Sequence, residues 1–534
     1  MINPKAAPCG QAAIRSIAPA GNCIASQKPL VLLATVLASS TTYIDESVVN
    51  IALPAIESDL ATTVAVIQWL VNAYTLCLSA LLLTGGAAAD HFGRRKMLIV
   101  GIILFATASL WCGLAPSIAQ LILARAMQGV GAAILIPCSL ALIGASFNEE
   151  ERGRAIGTWA GASAIAVAIG PLLGGLIVDH FSWRWIFLIN PILAVPTLWI
   201  VVNHVPESRG AETSGRLDWT GAVLALLGLA GVCFGLIAAA EFGLADMKVV
   251  GPFALGVALL GVFIWLERHS RTPMLPLDLF RSRTFAVVNL LTLLLYAALG
   301  GAFFFLPFAL IQVGGYSAVS AGAVFLPFTI VIGLLSRWSG GLVDRLGARL
   351  PLIIGPLITA LGFGLLTLCI GGNTYWTFIA AMIVLGLGMA VSIAPLTTTV
   401  INAVPASQTG VASGINNAVA ALAGLLAVAI FGAVALGIYD RGLERRLQAT
   451  AASVELSQTV HDGRGQFVTA PAVSMSDDAD HQLAQMIIRA SLAKSIRSIM
   501  LLAVILSLGA AASGALLPRL PNGRAISPKP VNAP

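Results

Sequence analysis

Residues 86–95 read Gly-Ala-Ala-Ala-Asp-His-Phe-Gly-Arg-Arg, and residues 340–349 read Gly-Gly-Leu-Val-Asp-Arg-Leu-Gly-Ala-Arg. Each stretch follows a long apolar run, and the two stand nearly half a chain apart. The matching positions are Gly86, Asp90, Gly93 and Arg95 in the first copy and Gly340, Asp344, Gly347 and Arg349 in the second, while Arg94 has no basic counterpart. Glycine lets packed backbones approach closely, and a carboxylate at a helix end can pair with a neighbouring basic residue. The repeat therefore predicts a chain built from two related halves.

The composition around these stretches excludes a water-soluble protein. The chain has 534 residues, of which 58% are hydrophobic and only 10% charged, and its mean hydropathy is +0.91. A soluble globular chain carries roughly 25% charged residues, which it needs to face water. A disordered chain, a coiled coil and a collagen are excluded by the same values. The sequence predicts an all-α polytopic membrane protein.

The apolar residues fall into runs that are long enough to cross a membrane as helices. A helix needs about 20 apolar residues to span the hydrocarbon layer. The 14 predicted spans are residues 30–54, 66–87, 97–115, 118–143, 156–178, 185–203, 219–240, 250–266, 285–312, 317–339, 350–370, 376–400, 409–437 and 498–518. An even number of spans places both termini on the same side of the membrane.

The orientation follows from the basic residues in the loops. About two thirds of the 30 Lys and Arg residues lie in the segments on the side of the termini. Cytoplasmic loops carry this excess, so we expect both termini to be cytoplasmic and the chain to lie in the cell (inner or plasma) membrane. The net charge of +6 is then a consequence of insertion topology. Nucleic acid is not an expected partner, whereas the lipid bilayer is.

Further motifs occur in a fixed order along the spans. The first span reads Ile44-Asp-Glu-Ser-Val-Val-Asn-Ile-Ala-Leu-Pro54, the fourth contains Leu123-Ala-Arg-Ala-Met-Gln-Gly129, and the fifth contains Gly170-Pro-Leu-Leu-Gly-Gly175. With residues 86–95, these resemble the motifs of the major facilitator superfamily, in its 14-span drug–proton antiporter branch. Ala88 and Glu46 depart from the usual pattern, since Leu is commoner at the first position and a small polar or apolar residue at the second.

The resemblance implies two six-helix bundles around a central cavity, with two helices inserted between them. The predicted divisions are a cytoplasmic tail (1–29), a first bundle (30–204), an inserted helix pair with inner linkers (205–283), a second bundle (284–518) that includes a long outer loop (439–497), and a second cytoplasmic tail (519–534). The outer loop allows three interpretations: a helical hairpin, an interfacial helix or a flexible loop.

Charged residues inside spans are costly and mark candidate functional sites. Asp45 and Glu46 lie in the first span, and because neighbours on a helix diverge by about 100° they cannot face the same point. Glu46 shares a polar stripe with Asn50, which indicates a water-lined cavity. A carboxylate shielded from water can take up and release protons near neutral pH. The resemblance assigns proton coupling to Asp45, and Glu46 is a second candidate.

Two further features of the spans bear on this site. Arg125 lies inside the fourth span and needs a partner, for which Asp45, Glu46 and backbone carbonyls are the alternatives. In the fifth span, Gly161, Gly170, Pro171, Gly174 and Gly175 predict a bent helix packed closely on its partner. Both a gating role and static packing are consistent with these glycines.

Several kinds of chemistry are not expected. The sequence has no Gly-x-x-x-x-Gly-Lys-[Ser/Thr] motif, so it holds no P-loop ATPase, and no His-Glu-x-x-His motif. The six His and seven Cys residues show no ligand spacing, so we expect no metal, no cofactor and no disulfide framework.

The leading hypothesis for function is a proton-coupled antiporter that exports lipophilic, cationic small molecules, with protons as the second substrate. The alternatives are an exporter of an anionic or neutral metabolite, siderophore or self-made antibiotic, and more remotely a membrane enzyme or channel. Nothing in the sequence identifies an accessory subunit.

Overall fold

A computed structural model describes residues 27–209, 218–243, 245–270, 275–372, 374–405, 408–449 and 478–518. All regular structure in these ranges is helical. This is what a lipid environment demands of long apolar runs, because a helix satisfies its backbone hydrogen bonds internally. The predicted all-α fold is confirmed.

The helices are numbered in chain order within the described residues. The first half contains α1 (Lys28–Asp59), α2 (Val64–Phe92), α3 (Arg94–Leu114), α4 (Ile118–Ser146), α5 (Glu149–His180) and α6 (Trp185–His204), followed by α7 (Trp219–Phe242) and α8 (Met247–His269). The second half contains α9 (Arg283–Phe308), α10 (Ala318–Ala323), α11 (Leu326–Gly340), α12 (Leu342–Leu346), α13 (Pro351–Cys369), α14 (Tyr375–Asn402), α15 (Thr409–Ala449) and α16 (Asp478–Ala515). A 3-10 turn (Leu277–Arg281) precedes α9 and a π-helical turn (Ala309–Val313) follows it.

Thirteen helical segments of the described chain are long and apolar enough to cross a membrane, with α10 and α11 counting as one segment. The remaining long helix is α1, whose centre carries Asp45 and Glu46. It packs against α4, α5 and α6 like its neighbours, which makes it the fourteenth span. The chain is therefore a multi-pass membrane protein, and its first span is the most polar.

The last two spans extend as helices into the segment 439–497, for which the sequence left a helical hairpin, an interfacial helix and a flexible loop open. The helix α15 continues to Ala449 and α16 already begins at Asp478, while residues 450–477 lie outside the described part. Charged side chains lower the hydropathy of these stretches, but the helices continue through them. Buried apolar residues keep helical spacing here and pack the two extensions together; they include Leu443, Leu447, Ile488, Leu492 and Ile496.

The helices pack mostly within their own half. In the first half α2 and α3 pack on α4, and α1 packs on α5 and α6. In the second half α9 packs on α15 and α16, and α13 packs on α14 and α16. The inserted helices α7 and α8 pair with each other, and α7 also contacts α2 and α15.

Between the halves, α5 packs on α10 and α11, and α2 packs on α15. We call the end of the molecule where α5 finishes and α10 begins the closed end, because helices of both halves meet there. The opposite end carries residues 86–95 and 340–349 and is called the signature end. Toward it, Gly153 and Gly157 of α5 have no other heavy atom within 4 Å of an added Cβ, and Leu334 of α11 is 76% exposed. The two helices thus diverge away from the closed end.

Candidate functional site

An ion pair lies buried in the middle of the first half. Asp45 on α1 and Arg125 on α4 approach to 2.5 Å between Oδ2 and Nη1, and each residue is only 1% exposed. Of the two acids that the sequence offers as the partner of Arg125, the structure thus pairs it with Asp45. A buried pair of this kind is stable only when further hydrogen bonds satisfy the remaining polar atoms.

Three uncharged side chains supply those hydrogen bonds. Gln128 donates from Nε2 to Asp45 Oδ1 at 2.8 Å, and Asn190 on α6 donates to the same oxygen at 2.7 Å. Gln128 and Asn190 also donate to Ser109 Oγ on α3, at 3.2 Å and 2.8 Å. Ser109 in turn donates to the carbonyl of Phe187 at 2.9 Å. The carboxylate of Asp45 is therefore held by α4 and α6, and Ser109 ties both of its amide donors to α3.

Arg125 is surrounded by contacts suited to a permanent cation. Its Nη1 also donates to Gln128 Oε1 at 2.8 Å, and its Nε donates to the backbone carbonyl of Leu70 at 3.4 Å. The guanidinium carbon lies 4.2 Å from the ring centroid of Tyr74 and 5.8 Å from that of Phe187. Cation–π contacts of this kind are strongest where water is excluded. The site holds a positive charge without exposing it.

Glu46 lies outside this cluster. Its side chain is exposed although it stands in the middle of α1, and it is within electrostatic range of both Arg125 and Asp45. Tyr43, one turn toward the signature end, and Asn50, one turn toward the closed end, are half-buried on the same face. The expected divergence of the two acids is thus present, with Asp45 inside the first half and Glu46 at its accessible surface.

The Gly-Pro motif of α5 lies where the two halves meet. A Cβ added to Gly175 would come within 2.6 Å of the backbone of Ala318 in α10, and a Cβ on Gly322 within 2.7 Å of the carbonyl carbon of Pro171. Real Cβ atoms essentially never come closer than 3.0 Å to other heavy atoms. The closed end therefore depends on glycine at both positions.

The other glycines of the motif face the first span. A Cβ on Gly170 would come within 2.8 Å of Ser47 Cβ, and one on Gly174 within 2.9 Å of the carbonyl oxygen of Val48. The close packing predicted for the motif is present at these positions. It is absent at Gly161, where nothing lies within 4 Å, so the prediction was wrong for that residue.

A carboxylate also joins the halves at the closed end. Asp179, at the end of α5, accepts hydrogen bonds from the backbone N–H groups of Ala318 and Val319 at 3.0 and 2.8 Å. These are the first residues of α10, whose amides have no partner within their own helix. The acid therefore caps a helix of the opposite half, a role that its place near the end of a span did not indicate.

Replacing Asp179 with alanine should weaken the closed end. Loss of a capping side chain costs about 1 kcal/mol, so the population with the closed end open should rise several-fold. Distances between spin labels at the exposed residues Phe181 and Trp376 should lengthen. Asp246→Ala is the control, since Asp246 caps its own helix α8. An unchanged distance distribution in Asp179→Ala would contradict the role of this cap.

The first signature loop is held by the end of α6. Gly93 has a φ of 110°, which L-residues rarely adopt, and Asp90 pairs with Arg94 at 2.8 Å. Glu207 accepts from the backbone N–H of Arg95 at 3.1 Å, and the Arg95 side chain donates to the carbonyl of Val202. Glu207 thus caps α3, a role that no sequence motif indicated, and Gly86 stands one turn before Asp90 on α2.

The second copy is described only in part. Gly347 also has a positive φ, of 72°. Arg349 lines a cavity of about 450 Å³ together with Thr284 and Leu517, while nothing is described for the side chains at Gly340 and Asp344. Across the described ranges, no group of three or more His, Cys, Asp or Glu side chains could hold a metal ion.

Two helical halves that pack on each other through α5 with α10 and through α2 with α15 define a two-bundle membrane protein. The family model of the Major Facilitator Superfamily matches residues 35–428, and the chain belongs to this superfamily. Its members are transporters, so the chain is a transporter and not an enzyme.

The chain is similar to several named proteins over most of its length. It is 34% identical over 425 residues to the multidrug resistance protein Stp of Mycobacterium tuberculosis, covering 78% of each chain. It is 36% identical over 440 residues to the puromycin resistance protein pur8 of Streptomyces alboniger, covering 80% of this chain and 86% of that one. Among solved structures, a bacterial homolog of the human lysosomal transporter Spinster matches with a TM-score of 0.63 at 15% identity, over 91% of this chain and 97% of the other. That last similarity concerns the fold alone.

Proposed function

We propose that this transporter exports lipophilic small molecules, cations among them, in exchange for protons. The names of its relatives, a multidrug resistance protein and a puromycin resistance protein, support export of drug-like compounds. The observation that carries proton coupling is the buried pair of Asp45 and Arg125 at 2.5 Å. Neither residue has another described partner of opposite charge within 4.0 Å.

The pair can couple a proton to movement because its two states differ in charge. When Asp45 is ionised, it holds Arg125 in place and the pair is neutral. When Asp45 takes up a proton, Arg125 keeps a buried positive charge without a counterion, which is strongly unfavourable. The helices α1 and α4 must then rearrange, and α1 also packs on the Gly-Pro motif at the closed end. Protonation would thereby favour one arrangement of the halves over the other.

The direction of transport follows from the predicted orientation. Cytoplasmic termini place the signature end inside the cell and the closed end outside. The contact of α5 with α10 then lies on the outer side of the membrane. Opening of the closed end would release cargo outward and admit a proton.

The test uses purified protein in liposomes with an internal pH-sensitive dye. Ethidium, a lipophilic cation, should drive proton movement through the wild type, and Asp45→Asn should abolish it. Asp59→Asn on the same helix is the matched control, because Asp59 forms a half-exposed pair with Arg184 at 2.9 Å. Transport of ethidium by Asp45→Asn with undiminished proton dependence would reject Asp45 as the coupling acid.

A further inference from the structure

The two neighbouring acids of α1 are in different electrostatic situations. The oxygens of Asp45 are occupied, Oδ2 by Arg125 at 2.5 Å and Oδ1 by Gln128 and Asn190 at 2.8 and 2.7 Å. Its side chain is fully buried. A cargo molecule could reach this carboxylate only by displacing these buried contacts. Asp45 is therefore poorly placed to bind cargo directly.

Glu46 has the opposite properties. It is exposed, and within the described residues it makes no hydrogen bond or ion pair. Arg125 attracts its negative charge and Asp45 repels it. When ionised, an accessible carboxylate in the middle of a membrane span gives its surroundings a negative charge. Such a site favours a cation over a neutral or anionic molecule.

The groups beside Glu46 suit a cation that carries aromatic or apolar substituents. Tyr43 lies one turn toward the signature end, and its ring stands edge-on to that of Trp159 on α5, with centroids 6.5 Å apart. The indole of Trp159 is fixed by a hydrogen bond from Nε1 to Ser39 Oγ at 3.0 Å. Asn50 lies one turn toward the closed end. Cargo arriving from the signature end would thus pass the half-buried ring of Tyr43, which is held by the buried indole of Trp159.

We propose that Glu46, with the ring of Tyr43 that packs on Trp159, is the binding site for the positive charge of cationic cargo, and that Asp45 with Arg125 carries only the proton. This division deepens the proposed function and rests on it. Cation binding and proton coupling are then carried by two different acids, so each can be removed without the other. Removal of Glu46 should change which cargo is bound, whereas removal of Asp45 should stop coupling for every cargo.

Two probes of similar shape and different charge test the division. Tetraphenylphosphonium is a lipophilic cation, and triphenylphosphine oxide is a neutral molecule that also carries phenyl groups. In binding to purified protein, Glu46→Gln should lower the affinity for the cation about tenfold or more, because its contact with a carboxylate charge is lost. Affinity for the neutral probe should stay within about twofold, and Glu46→Asp should restore part of the cation affinity. Asp278→Asn, which changes an exposed acid, should alter neither.

Proton movement distinguishes this inference from the proposed function. With the neutral probe, Glu46→Gln should still move protons and Asp45→Asn should not. Equal losses of affinity for both probes in Glu46→Gln, or no loss for either, would overturn the role of Glu46 and leave the proton exchanger intact. Absence of probe-driven proton movement in the wild type would instead reject the exchanger itself.

Discussion

Replacing Gly175 with alanine should strongly reduce transport by destabilising the closed end. The new Cβ would lie within 2.6 Å of backbone atoms of Ala318 and Val319 in the opposite half. Backbone atoms cannot turn aside as a side chain can, so α5 and α10 would have to separate. Overpacking costs about 1–3 kcal/mol, which lowers the equilibrium constant for the closed arrangement by roughly fivefold to 150-fold. Transport should fall accordingly.

The measurement is the accessibility of a cysteine introduced at Ala321, which is buried in α10 at the closed end. In Gly175→Ala, a membrane-impermeant maleimide should label this cysteine from the closed side much faster than in the parent protein. Gly161→Ala is the matched control, since it adds the same methyl group to the same helix where nothing lies within 4 Å. It should leave labelling and transport unchanged. Slow labelling with normal transport in Gly175→Ala would contradict this account of the closed end.

The spans could be predicted because each apolar segment must satisfy its own backbone hydrogen bonds in lipid. An apolar run in lipid has to be a helix, whatever its neighbours are, so the predicted span 118–143 corresponds to Ile118–Ser146 and 185–203 to Trp185–His204. Hydropathy gives no such guidance where a helix leaves the membrane. Residues 478–497 are helical but include Arg489, Lys494 and Arg497, and a hydropathy pattern cannot distinguish such an extension from a loop.

The sequence limits the candidate partners of Arg125 to a few groups but does not decide between Asp45 and Glu46. Helical geometry shows that Asp45 and Glu46 point about 100° apart, so only one can enter the first half. The choice depends on how far α1 is rotated about its axis, and that rotation is set by its packing on α5 and α6. Tertiary contacts of this kind cannot be predicted from a single sequence.

The uncharged and capping members of the site were missed for a related reason. Ser109 and Asn190 are polar residues in apolar spans, where such residues are common and often bond to their own helix. Asp179 and Glu207 lie near helix ends, where an acid is ordinarily solvated. Each acquires its role from a helix that is distant in sequence, as the cap of Glu207 on α3 illustrates. Among these residues, only Gln128 could be predicted to lie in the site, because it follows Arg125 by one turn on the same helix face.

Four consecutive residues of α1 connect the parts of the site. Asp45 holds Arg125, Glu46 is exposed, and Ser47 and Val48 receive two glycines of α5. Under the proposed exchange, a shift of α1 on protonation of Asp45 would act on the contact with α5. Because α5 also forms the closed end, this segment would then connect the proton mechanically with the opening of the halves.

Replacing Arg125 with methionine should strongly destabilise the folded protein. The substitution keeps much of the side-chain volume but leaves Asp45 charged, buried and without a counterion. Breaking a buried pair by removing one partner costs about 3–5 kcal/mol. Thermal unfolding in detergent should show a clearly lower midpoint, and transport should be lost. Arg184→Met, which breaks the half-exposed pair with Asp59 at 2.9 Å, should lower the midpoint little, since such pairs are worth at most about 1 kcal/mol.

A double variant separates stability from function. Adding Asp45→Asn to Arg125→Met removes the uncompensated charge, while an asparagine oxygen can still accept the hydrogen bonds that Gln128 and Asn190 now give to Asp45. The unfolding midpoint should therefore recover much of the way toward that of the parent protein. Proton-driven transport should not recover, because no ionisable group remains in the pair. A midpoint for Arg125→Met equal to that of the parent would contradict an uncompensated charge on Asp45 in the folded variant. Recovery of transport in the double variant would show that the proton binds elsewhere.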